Sequence, residues 1–196
     1  MITDRLKKQL DFMLELDRMK NLYRQTYVLH EDRKENDAEH SWHIAVMAFL
    51  LAEYANSKTD IFRVIKMLLI HDVVEIDAGD TYCYDEEGYK TKADREEKAA
   101  QRIFGLLPDD QKNEFYNLWR EFEDGQTNEA RFAGVLDRIQ PLLLNYSKGG
   151  ISWQEHGIHA EQVASRNTGT AETSAVLAEV INAVIKDAAE RGLLKI

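Results

Sequence analysis

The sequence predicts an all-α fold. Apolar residues recur at helical spacing through almost the whole chain, and no stretch alternates apolar and polar side chains as a half-buried strand does. With only 2 prolines and 10 glycines in 196 residues, little interrupts long regular elements. The length suits one hydrophobic core. Residues 1–196 are therefore read as a single domain of six to eight helices, with 1–147 as its main body and 148–196 as a C-terminal helical extension packed on it.

The first helix is expected over residues 2–21, with Leu6, Leu10, Met13, Leu14 and Leu16 facing inward. Residues 24–36 read as polar and irregular. A second helix starts near Asn36, where Asn36 and Glu39 have capping-box spacing. From Ile44 to Ala52 it carries no charged side chain, the pattern of a helix buried on all sides. The third begins near Thr59 or Asp60, both good N-caps, and runs to about Glu75. A loop over 77–91 precedes a helix from Lys92 to Phe104, which Gly105 closes. Pro108 opens another helix, with Phe115, Leu118, Trp119 and Phe122 inward. Residues 127–147 form the next, and Pro141 should bend it because proline has no N–H for the Asp137 carbonyl. After the loop KGGISWQEHG come a short helix and a final one over about 170–191.

The formal charge of −10, from 35 acidic and 25 basic side chains, disfavours nucleic acid and anionic membrane surfaces as partners. Cys83 is the single cysteine, so neither an intrachain disulfide nor a Cys-based zinc site is available. The apolar runs are shorter than a membrane span. The segment MITDRLKKQL mixes charged and apolar residues and does not resemble a signal peptide, so the cytoplasm is the expected compartment.

The most informative feature is His71-Asp72, at the end of the apolar run Ile61 to Ile70. A carboxylate is expensive to remove from water unless it is paired or holds a metal. On a helical wheel Asp72 continues the inward stripe of Ile61, Ile65 and Leu68, and Glu75 lies within one turn. His40 sits in the first turn of the second helix, with His43 three residues on. Asp137 interrupts an otherwise apolar face. Taken alone, each has an ordinary structural explanation. Together, His40, His71, Asp72 and Asp137 would make a mixed nitrogen and oxygen site suited to Mn, Fe, Co, Ni or Zn.

The order His40, His71-Asp72, Asp137 on a helical background resembles the HD-domain metal-dependent phosphohydrolases. AEHSW (Ala38 to Trp42), HDVVE (His71 to Glu75) and AGD (Ala78 to Asp80) are similar to the branch that acts on nucleoside 5′-monophosphates, as are LYRQT and KEN around Arg24 and Asn36. The resemblance runs from about residue 5 to 147. It implies one divalent transition metal held by His40, His71, Asp72 and Asp137, and a nucleotide substrate. Glu75 would orient or deprotonate water made acidic by that ion, Asp80 would face the leaving oxygen or sugar, and the two roles could be exchanged. Arg24 would bind phosphate through its planar guanidinium. His43 would support the ligands, and a homodimer is the assembly the family suggests.

Other readings keep the same site. A phosphodiester or guanosine polyphosphate could be the substrate, although few basic residues lie near the motifs. A non-catalytic metal- or nucleotide-binding module is the third. After AGD the chain reads TYCYDEEGYK, where the family often has a short apolar loop with proline. Tyr82, Tyr84 and Tyr89 read as loop anchors, Lys92, Arg95 and Lys98 as a solvated helix face, and Trp42, Trp119 and Trp153 as core or interface. Cys83 has no evident activating cation and is assigned no role.

Overall fold

The computed structural model describes residues 2–196. Helix α1 (Asp4–Leu16) is followed by a 3-10 turn, then a small antiparallel hairpin of β1 (Tyr23–Tyr27) and β2 (Lys34–Asn36). The main helices are α2 (Asp37–Leu50), α3 (Ile61–Ile70), α5 (Glu86–Phe104), α6 (Asp109–Asp124), α7 (Asn128–Ser147) and α11 (Ala175–Glu190). Shorter ones are α4 (Glu75–Ala78), α8 (Ile151–His156), α9 (Ala160–Arg166) and α10 (Thr170–Thr173). The helical class is borne out. The chain has more helical segments than expected, because the C-terminal region is cut into short pieces at Gly157 and Gly169, both at positive φ.

Two apolar clusters hold the fold. Ile44, Ala48, Leu68, Phe132 and Leu136 pack with Trp153, Leu177 and Ile181, so α2, α3 and α7 share one core with the C-terminal helices. Met67, Val73, Ile103, Phe104 and Trp119 form the second, between α3, α5 and α6. Helix α3 feeds both, and the chain leaving it lies at their junction.

Several expectations change. Residues 24–36 are not irregular: β1 and β2 pair there, with Val28 N donating to Arg33 O to close the turn. On α1, Leu6, Leu10, Met13 and Leu14 are exposed, and Phe12 is the buried residue. Helix α2 is not buried all round, since Trp42 (65%), Phe49 (76%) and Leu50 (67%) lie open on its outer face. An apolar helix face need not be covered by its own chain, and patches of this kind mark interaction surfaces.

Helix α5 starts at Glu86, earlier than expected, because the Asp85 side chain accepts from Gly88 N and caps it. The third helix stops at Ile70, and His71–Val74 continues as a tighter 3-10 turn. Helix α7 runs through Pro141 without a break.

Candidate metal centre and substrate cavity

Three local structures bring the polar residues together. At the start of α2 the Asn36 side chain accepts from Glu39 N while Glu39 reciprocates on Asn36 N, which fixes the first turn. Asp37 and His40, three residues apart, then share its buried face. The 3-10 turn buries His71 and Asp72, and Glu75 follows at the head of α4. Helix α7 presents Asp137 and Gln140, again three apart.

His40 Nε2 lies 3.0 Å from Asp137 Oδ1 and 3.9 Å from Asp72 Oδ2. His71 Nε2 lies 3.1 Å from Asp72 Oδ1 and 3.7 Å from Asp137 Oδ1. Donor atoms of His40, His71 and Asp72 fall within 4.8 Å of one another. The four residues singled out in the sequence therefore converge, from α2, the 3-10 turn and α7.

The hydrogen bonds behind the rings define the chemistry of this cluster. Gln140 Nε2 donates to Glu35 Oε1 at 2.7 Å, which turns its Oε1 toward His40 Nδ1 at 3.0 Å. His40 thus carries its proton on Nδ1 and points a bare Nε2 lone pair at a carboxylate. His71 Nδ1 likewise donates to the Leu68 carbonyl at 2.9 Å, and its buried Nε2 has no hydrogen-bond partner among the described residues. Lone pairs facing carboxylate oxygens at these distances repel unless a positive charge lies between them. Rings oriented through Nδ1 with Nε2 free are the arrangement of histidine metal ligands. The donor set fits a divalent cation.

The ionisation behaviour agrees. Burial alone would lower His71, but Asp72 and Asp137 outweigh it and push the ring up to about 10. Burial would raise Asp72 and Asp137, yet the two histidines, with Arg24 acting on Asp72, hold both below the ordinary carboxylate range. The cluster demands positive charge at its centre, and a proton on His71 meets that demand where a cation would. His40 stays below its usual value because of burial and the nearby Arg24.

A second group of acids adjoins the first. Oxygens of Asp37, Asp72 and Glu75 lie within 4.8 Å of one another, and Asp37 Oδ2 and Glu75 Oε2 have no hydrogen-bond partner among the described residues. Burial and the neighbouring Asp72 raise Asp37 to about 7. Burial, Asp72 and Asp37 raise Glu75 well above the usual carboxyl range. Asp80, raised by burial, follows Gly79 and lines the adjoining cavity. From β1, Arg24 donates to Asp72 Oδ2 at 2.7 Å and lies 3.5 Å from Asp37 Oδ1. Its charge is engaged by these carboxylates, and its edge also lines the cavity.

Sequence reading missed Asp37, Glu35 and Gln140. Asp37 and Gln140 had a usable signal, since each stands three residues from a proposed ligand on the same helix. Glu35 had none, because its place depends on the hairpin. His43 Nδ1 receives Gln140 Nε2 at 3.1 Å, which matches a supporting position. Lys92 and Arg95 are not solvated: Lys92 pairs with buried Glu96, and Arg95 binds the Ala78 carbonyl and Thr81 hydroxyl, clamping the loop after Asp80. Trp119 and Trp153 are core, whereas Trp42 is exposed. The cavity beside the cluster is walled by Arg24, Asp80, Tyr82, Tyr84, Arg138 and Arg166, so the C-terminal extension contributes to it.

Comparison with known proteins places the chain. A family model described as HD domain matches residues 16–178. The chain belongs to the HD-domain family. It is 32% identical over 138 residues to 5'-deoxynucleotidase HDDC2 of Xenopus laevis, covering 70% of this chain and 67% of that protein. The Homo sapiens HDDC2 is 32% identical over 135 residues, covering 68% of this chain and 65% of that protein. The chain thus spans about two thirds of the length of these relatives. The crystal structure of a predicted metal-dependent phosphohydrolase from Magnetospirillum magnetotacticum MS-1 superposes with a TM-score of 0.92 at 48% identity, covering 98% of this chain and 99% of that one. An HD-domain phosphohydrolase from Listeria innocua, at 17% identity and TM-score 0.61, shares the fold, over 93% of this chain and 86% of that one. The expected family and hydrolase class are borne out by these relatives.

Proposed function

We propose that the protein is a metal-dependent phosphomonoesterase releasing phosphate from nucleoside 5′-monophosphates, deoxynucleotides among them. The observation that carries this reading is the pair of Nε2 atoms aimed at Asp72 and Asp137, with two further carboxyl groups, Glu75 and Asp80, beside them. His40, His71, Asp72 and Asp137 would hold one divalent ion, drawn from Mn, Fe, Co, Ni or Zn by the chemistry of the donors. Such an ion supplies acidic water and neutralises phosphoryl charge.

The rest falls to the chain. Gln140, itself held by Glu35, fixes the His40 ring, and the Leu68 carbonyl fixes His71. Arg24 anchors Asp72 and offers its remaining N–H groups to phosphate. Glu75, buried against Asp72, orients the attacking water and takes its proton. As the water oxygen bonds to phosphorus and the bond to the 5′ oxygen breaks, Asp80 at the cavity wall gives a proton to the departing sugar oxygen. The roles of Glu75 and Asp80 are assigned by burial, the more exposed group facing substrate.

Residues 1–196 act as one domain in this reading, because the extension shares the core of α2, α3 and α7. Among the described residues no helix is long and apolar enough to cross a membrane. A cytoplasmic location and a homodimer through the open face of α2 complete the proposal, and sizing at several concentrations checks the dimer. The enzymatic test is phosphate release from a nucleotide panel, with metals added back to stripped protein. An Asp72→Ala variant that keeps both metal content and turnover would show the assignment to be wrong.

A further inference from the structure

The chain carries ten more acidic than basic side chains by formal charge, −10, and most of its arginines pair with a carboxylate. Three half-buried ones do not: Arg95 is taken up by the Ala78 carbonyl and the Thr81 hydroxyl, and the other two face the substrate cavity. Arg138 follows Asp137 on α7, and its Nε is buried with no hydrogen-bond partner. Among the described residues no ion pair or hydrogen bond takes its guanidinium. Arg166, at the end of α9, donates to the Cys83 carbonyl at 3.1 Å and to the Tyr89 hydroxyl at 3.4 Å, and its guanidinium lies over the Tyr84 ring at 5.7 Å. These are neutral partners, so no ion pair among the described residues takes its charge either.

The two cations feel each other. Both line the same cavity, as does Asp137 beside Arg138. Holding two like charges half-buried in one wall, with no ion pair taking either, is unfavourable in the free protein. An anion entering the cavity relieves it. The metal end of the same cavity is different. There Arg24 is already spent on Asp72 and Asp37, among acids that outnumber it. A phosphomonoester dianion arriving at that end meets a guanidinium shared with Asp72 and Asp37, whereas Arg138 and Arg166 line the cavity with no ion pair among the described residues.

We propose that Arg138, backed by Arg166, is a phosphate-binding residue of this cavity, complementary to Arg24. Arg138 presents the N–H donors to the phosphate oxygens. Arg166, tied to the loop over Cys83 and Tyr89, supplies charge from the opposite element and makes phosphate entry depend on the C-terminal extension. The proposal rests on the phosphohydrolase reading.

Its test uses metal-loaded protein and inorganic phosphate as the probe, with binding followed by calorimetry. Metal content and melting temperature are measured on the same samples. Arg138→Gln should weaken phosphate binding by roughly tenfold to a hundredfold, as expected for charge-assisted hydrogen bonds, and should leave metal content unchanged. Arg138→Lys should recover part of the affinity, and Arg166→Gln should weaken it by a smaller factor. For hydrolysis, KM should rise more than kcat falls. Arg166→Gln carries the test if Arg138→Gln does not fold. Phosphate affinity within about threefold of wild type in both glutamine variants would overturn the proposal. Should the wild type bind phosphate through Arg138 yet hydrolyse no phosphomonoester, the enzymatic reading fails and the subsite stands. Hydrolysis with phosphate binding unaltered by the substitutions gives the reverse.

Discussion

At the scale of single residues, orientation is what separates this cluster from an ordinary buried His-Asp pair. His40 is useful because Gln140 claims its Nδ1 proton, and Gln140 can do so because Glu35 claims its amide N–H. Removing the middle of that relay leaves His40, the proposed ligand, in place and lets its ring turn. Gln140→Ala is therefore expected to lower metal affinity about tenfold to a hundredfold, the usual effect of losing a partner behind a ligand. Metal titration with a competing chelator reads this directly, and unchanged affinity would remove the relay from the account. Glu75→Gln keeps the size and polarity of the side chain and removes its proton exchange. It should cut kcat by about a hundredfold or more at full metal loading. Normal turnover in that variant would transfer the base role elsewhere. In the sequence, His40, His71, Asp72 and Asp137 could be found by residue type and by resemblance. Gln140 had only its spacing from Asp137 to mark it, and Glu35 had nothing, because a glutamate carries no distinctive signal until the fold sets it behind His40 through Gln140.

At the scale of elements, short irregularities set the geometry. The chain leaves α3 as a 3-10 turn and not as continued α-helix, placing His71, Asp72 and Glu75 in one buried stretch. Gly79 ends α4 with φ 76 and ψ 145, a conformation open to glycine and strained for other residues, and so aims Asp80 into the cavity. No atom lies within 4 Å of a Cβ placed there, so the barrier to substitution is backbone strain alone. Gly79→Ala should destabilise the protein by about 1–3 kcal/mol and reduce activity with it, measurable by denaturant unfolding and turnover. Hairpin β1–β2 went unseen because it is short, polar and locally paired, and strand periodicity needs a longer run to show. The start of α5 was missed for a related reason: Gly88 reads as a loop residue, whereas Asp85 caps the helix through Gly88 N.

At the scale of the whole molecule, the extension is part of the core. Trp153 is 2% exposed and packs with residues of α7. Trp153→Ala should cost about 3–5 kcal/mol, seen as a lower melting temperature, and should open the cavity wall. A wild-type melting curve in that variant would make the extension a separate appendage. Charge is the second whole-molecule term. Asp37, Asp72, Glu75 and Asp137 surround one guanidinium, Arg24, so a bound cation should stabilise the folded state relative to the unfolded one. Stripping metal with a chelator is expected to lower the melting temperature by several degrees, with recovery on adding a divalent ion back. A melting temperature indifferent to chelation would argue against a resident ion.

By itself the sequence determined the helical class, the ligand candidates and the family, since these depend on periodicity, residue type and motif order along the chain. Tertiary structure alone decided which nitrogen of each histidine is free, that Arg24 is engaged by Asp72, and that Arg138 and Arg166 share a cavity. It also decided which apolar faces are covered, leaving Leu10 on α1 and Phe49 on α2 exposed. The physical reason is the same in each case. A hydrogen-bond partner, an ion pair or a covering surface is a relation between segments far apart in sequence, and periodicity along one segment shows only that a face wants a partner.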